Sequence, residues 1–111
     1  MNLAVEQRAG VNIVRLVGEL TDEGGDLLSG GVNEAVSQRG ARIVIDLAGV
    51  PYMNSAGLSS LINLAARSNL SEGRVVLAAA PPFVANVLEM TKLTKFFEIA
   101  KSVDEAVGRL A

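Results

Sequence analysis

The chain is 111 residues long, with half of its residues apolar and 20% charged, which suits one folded domain with its own core and excludes a disordered chain. The net charge of −2 speaks against direct nucleic-acid binding, which calls for a basic excess or stripe. The absence of cysteine and histidine removes disulfides, thiol catalysis, the commonest zinc ligands and the usual base of hydrolytic triads.

There is no basic-then-apolar leader, and no apolar run reaches the roughly 20 residues that a membrane span needs. The expectation is a soluble cytoplasmic protein with no membrane insertion, no cofactor and no metal.

From the N-terminus, Leu3, Val5 and Gln7 alternate with Ala4 and Glu6 in a weak strand pattern. Ala9-Gly10 reads as a turn, and Val11 to Val17 as a stronger, β-branched strand, so the two should pair as an antiparallel hairpin. Gly18-Glu19-Leu20-Thr21-Asp22 ends that strand. From Asp22 to Gln38, Leu27, Leu28, Val32, Ala35 and Val36 share a helical face. Gly24, Gly25, Gly30 and Gly31 interrupt it, each costing about 1 kcal/mol relative to Ala. A helix weak at its start and held by packing is expected. These glycines match neither the P-loop nor the dinucleotide spacing. Gly40 fits a helix C-terminal cap.

Arg42 to Leu47 is a continuous apolar strand of the kind buried on both faces. After the turn through Gly49 and Pro51 come two capping residues in a row, Asn54 and Ser55, followed by Leu58, Leu61, Ile62, Ala65 and Ala66 at helical spacing. This helix should run to about Asn69. Ser71-Glu72-Gly73 is a turn and Arg74 to Ala79 another buried strand. Pro81-Pro82 opens the next helix, with Phe83, Val84, Val87, Leu88 and Thr91 as its inner face. Lys92 to Lys95 ends it, and Phe96 to Ile99 reads as a short edge strand. Ser102 and Glu105 form a capping box for a last helix, whose inner face is Val103, Ala106, Val107 and Leu110. The alternation predicts an α/β fold with a small mixed sheet of four to five strands and about four helices.

The element of most interest is the loop before the second helix. A serine hydroxyl stands there at a helix N-terminus, just past the C-terminal end of a central strand, the edge at which open α/β sheets place their ligand and partner sites. A helix N-terminus also tolerates a phosphate. The plain alternative is that Asn54 or Ser55 only caps the helix.

The run Ile45-Asp46-Leu47-Ala48-Gly49-Val50-Pro51-Tyr52-Met53-Asn54-Ser55-Ala56-Gly57-Leu58 resembles the signature of STAS domains, specifically the bacterial anti-sigma factor antagonists. There a strand ending in Asp-Leu leads through a short loop to Asp-Ser-(Ser/Ala)-Gly-Leu. Gly18-Glu19-Leu20 looks like the family's strand ending, and Leu88 to Ile99 with Ser102 to Val107 is similar to its last helix-strand-helix, so the resemblance covers nearly all of residues 1–111 as one STAS-like domain. It implies that Ser55 is the residue phosphorylated by a partner anti-sigma factor serine kinase, and that the unphosphorylated chain binds this kinase and so frees a sigma factor. It further implies partner contacts at Glu19, Thr21, Asp22, Asn54, Ser55, Ala56, Gly57 and Ser59, with Gly57 admitting close backbone approach. The chain departs from the family pattern at Asn54 and at Thr21, where the family has Asp. Asp22, one residue on, either replaces the lost carboxylate or caps the following helix.

An enzyme reading lacks its parts. Ser55 has no histidine to activate it, Arg67 on the same helix stays protonated, no Gly-x-Ser-x-Gly elbow is present, and nothing brings Lys92, Lys95 or Lys101 to the serine. The protein is therefore expected not to be an enzyme. The second expectation, of another class, is a non-switching STAS interaction subunit: a stress-signalling scaffold component or the accessory subunit of a lipid-transport ATPase.

Overall fold

A computed structural model describes all 111 residues. Five strands, β1 (Asn2–Arg8), β2 (Val11–Val17), β3 (Arg42–Gly49), β4 (Arg74–Ala78) and β5 (Glu98–Ala100), form one sheet in the order β1-β2-β3-β4-β5. The first pair is antiparallel and the remaining three are parallel, which is the mixed α/β sheet that the alternation predicts. Ala9 and Gly10, both at positive φ, make the tight turn between β1 and β2.

The helices are α1 (Asp22–Ser37), α2 (Ser55–Leu70), α3 (Pro82–Met90) and α4 (Val103–Leu110), with a short 3₁₀ turn at Leu93–Lys95 before β5. α1, α2 and α3 join successive parallel strands, and all three pack on one sheet face. Their Leu28, Val32, Leu61, Leu64, Val84 and Leu88 meet Val14, Leu16, Ile43, Ile45 and Leu77 in the larger core. Strands that advance in one direction with their crossovers on one face are what connections of a single hand produce. α4 covers the other face with Ala106, Val107 and Leu110 against Val11, Ile13, Val44 and Val76. β3 is central, and from Ile43 to Leu47 every residue is buried, which explains a run that is apolar except for Asp46.

The structure corrects several inner faces. Leu27 and Phe83 are 42% and 47% exposed, and Ala66 and Thr91 also face outward, whereas Leu64 and Ser68 belong to the buried stripe of α2. α1 is helical from Asp22 onward. Gly24 and Gly25 are buried there because α1 lies close to its neighbours: a Cβ on Gly25 would fall on the Ser60 side chain, and one on Gly24 would sit 3.1 Å from the Glu19 carbonyl. Gly40 takes its left-handed turn two residues beyond the cap at Gln38. The Ser102 hydroxyl accepts the Glu105 N–H at 3.1 Å, and Glu105 reaches back to the Lys101 N–H at 2.7 Å, one residue short of an ideal box.

Candidate docking site at the start of helix α2

Two chain segments meet at the C-terminal edge of the sheet: residues 18–22, between β2 and α1, and residues 50–57, between β3 and α2. The Leu20 N–H donates to the Tyr52 carbonyl at 3.0 Å, and the Asn54 N–H donates to the Leu20 carbonyl at 3.2 Å. These bonds make Leu20 and Met53 a short parallel bridge. Both side chains are buried, at 0% and 3% exposure, so the crossing is anchored from beneath by apolar contact.

Gly57 completes the crossing. A Cβ there would overlap the Leu20 carbonyl oxygen and lie 2.7 Å from its carbon. Gly57 is itself buried, so the close backbone approach that it allows is to Leu20 of its own chain. This corrects the expectation that it opens the loop to a partner's backbone.

Asn54 is the helix cap. Its Oδ1 accepts the Gly57 N–H at 2.9 Å, while its Nδ2 donates to Asp22 Oδ1 at 3.3 Å. With the cap supplied by Asn54, Ser55 is the first residue of α2, and it is exposed. No acidic residue lies in the first turn of α2, whereas α1 opens with Asp22 and Glu23. Thr21 is the cap residue of α1, but its side chain makes no capping hydrogen bond.

The crossing thus gathers Glu19, Thr21, Asp22, Asn54, Ser55 and Ala56 into one patch. Ser59, one turn further along α2, faces solvent beside it. Its charges are the carboxylates of Glu19 and Asp22, and its hydroxyls are those of Thr21, Ser55 and Ser59.

Two features escaped the sequence reading. Tyr52 and Phe83, both exposed, bring their rings to 5.4 Å at the rim of this patch; adjacent aromatics on separate helices and loops leave no periodic signal. Asp46, next to last in the buried stretch of β3, is 7% exposed, accepting from Arg15 Nε at 3.2 Å and from the Ala48 N–H at 3.0 Å. A lone acid inside an otherwise apolar strand was the available clue.

The clefts of the molecule lie elsewhere, at the C-terminal ends of α1 and α2 around Arg39 and Leu70 and beside β1 around Val5 and Glu34. The Ser55 edge therefore offers a surface rather than a cavity. No helix is long and apolar enough to cross a membrane.

The model of the STAS domain matches residues 2–106. The anti-sigma F factor antagonist of Paenibacillus polymyxa is 32% identical over 113 residues, spanning 99% of this chain and 97% of that protein. Among solved structures, an anti-sigma factor antagonist from Mycobacterium paratuberculosis superposes with a TM-score of 0.85 at 25% identity, covering 98% of this chain and 92% of its own. The Bacillus cell fate determinant SpoIIAA in its phosphorylated form shares the fold, with a TM-score of 0.74 at 17% identity and coverage of 99% and 100%. By the extent of these matches, the chain belongs to the STAS domain family, and its relatives include anti-sigma factor antagonists.

Proposed function

We propose that this chain is an anti-sigma factor antagonist that works as a phosphorylation-controlled partner switch. In its unphosphorylated form it binds an anti-sigma factor serine kinase in the cytoplasm, and the sigma factor held by that kinase is released. The kinase ends the interaction by phosphorylating Ser55. The chain is a binding protein in this scheme, not an enzyme. The observation that carries the reading is the division of labour between adjacent residues: Asn54 caps α2, and the neighbouring Ser55 hydroxyl is exposed at the first residue of the helix. A group that the fold does not need for capping is free to be modified without unfolding the helix.

The switch is electrostatic. A phosphoserine carries about −1.5 to −2 charges, placed beside the carboxylates of Asp22 and Glu19. A docked partner must desolvate this charge, and a penalty of about 2–3 kcal/mol weakens binding by roughly 30- to 150-fold. No refolding is required.

The test is incubation with ATP and a candidate anti-sigma factor serine kinase. Intact mass should rise by one phosphate in the parent and not in Ser55→Ala. Ser55→Ala should still bind the kinase, whereas Ser55→Asp should not. Absence of transfer to any residue would instead favour the non-switching interaction subunit. Equal binding by Ser55→Ala and Ser55→Asp would overturn the electrostatic mechanism.

A further inference from the structure

The two segments that meet beneath Ser55 are joined by one bond between side chains, and its chemistry is matched on both sides. The Asn54 amide accepts from the Gly57 N–H with Oδ1 and donates to Asp22 Oδ1 with Nδ2. Only one orientation of the amide satisfies both partners, because one end must be an acceptor and the other a donor. A carboxylate at residue 54 would still cap the helix, but its second oxygen would face the Asp22 carboxylate at the same 3.3 Å, with like charges opposed. Conversely, the amide suits its place because residue 22 is acidic.

From this geometry we infer that Asp22 and Asn54 act as a single matched pair, with Asp22 a positioning residue that orients the Ser55 loop through Asn54. While residue 22 is an acid, an amide at residue 54 is favoured over a carboxylate. The surroundings make the bond directional. The crossing is already held by the Leu20–Tyr52 and Asn54–Leu20 backbone bonds and by Gly57 against Leu20, and the Asn54 side chain is held at one end by its cap bond to the Gly57 N–H. Asp22 holds its other end. A partner docking here then meets the acid from α1 and an amide beside the serine.

The part of the inference that concerns Ser55 chemistry rests on the function proposed above; the pairing itself does not. Both are tested with four proteins: the parent, Asn54→Asp, Asp22→Asn, and the exchange Asp22→Asn/Asn54→Asp. In the exchange, the amide moved to position 22 can donate to the carboxylate moved to position 54, whose other oxygen still accepts from Gly57. Thermal unfolding, which needs no partner, should show Asn54→Asp destabilised and the exchange restored, with coupling equivalent to roughly a three- to tenfold change in the folding constant. In the kinase assay, Asn54→Asp should slow phosphate transfer to Ser55 by a similar factor, and the added Asp22→Asn should restore it.

Additive melting shifts overturn the pairing. Coupled melting shifts with equal transfer rates in all four proteins overturn the positioning role. A parent that accepts no phosphate sinks the proposed function, and the unfolding cycle still decides the pairing.

Discussion

Replacing Gly57 with Ala tests the crossing beneath the serine most directly. Gly57 lies within a helix, so Ala there gains about 1 kcal/mol of intrinsic propensity. The new methyl would overlap the Leu20 carbonyl oxygen and sit 2.7 Å from the carbonyl carbon and 3.0 Å from Leu20 Cγ. Ordinary carbon contacts lie at about 3.5–4.0 Å, so one segment must retreat by more than an ångström to clear the carbonyl oxygen. Leu20 cannot retreat freely, because its N–H and carbonyl both bond to the opposing segment, at 3.0 and 3.2 Å. Overpacking of this kind costs about 1–3 kcal/mol, and a weakened backbone bond adds about 0.5–1.5 kcal/mol. The net expectation is a loss of about 2 kcal/mol, or a Tm lower by about 10 °C for a domain near this size. Circular dichroism melts of parent and Gly57→Ala measure it. A variant melting at or above the parent would refute the claim that Gly57 is fixed by contact with Leu20.

The same substitution should have the opposite sign at Gly30. That residue lies in α1 with nothing within 4 Å of an added Cβ, so Gly30→Ala should stabilise by about 0.5–1 kcal/mol, read in the same melts. Ser55→Ala should change stability by less than about 0.5 kcal/mol, as for other exposed sites whose side chain makes no structural bond, and chemical denaturation would detect more. At the β4–β5 edge, Arg74 donates through Nε to Glu98 at 3.0 Å, and this hydrogen bond is the main cause that holds the Glu98 carboxyl below its ordinary value of 4.5. The folded chain therefore binds this proton less readily than the unfolded chain. The stability that follows is complete above 4.5 and is lost as pH falls through the lowered folded value. Arg74→Gln should flatten that acid limb in denaturation curves taken across it, and the effect should be small because both side chains are substantially exposed.

The order of elements was legible because each carries its own periodicity. β3 announces itself as a central strand by its run from Ile43 to Leu47, apolar but for Asp46, and α4 by the Ser102 cap and its Glu105 partner. The Ser55 loop was legible for a related reason: capping residues sit next to the helical stripe that they start. The faces of α1 and α3 were less so. Leu27 and Phe83 fit the helical wheel but point outward, because a wheel gives spacing and the neighbouring helix decides which part of the stripe is covered. The glycines were the least readable. In sequence Gly24, Gly25 and Gly57 look like weaknesses or openings, whereas in the fold each marks a place where another part of the chain comes too near for a side chain.

Local chemistry alone, then, determined the strands, the helices and the placing of a serine at a helix start, since these depend on residues within a turn or two of one another. Which side chains meet across the crossing is a different matter. Asp22 and Asn54 are 32 positions apart, and their bond exists only because the sheet sets β2 beside β3 in parallel, so that both segments leave at the same edge. No spacing in the chain encodes that meeting; the packing of α1 and α2 over one sheet face does.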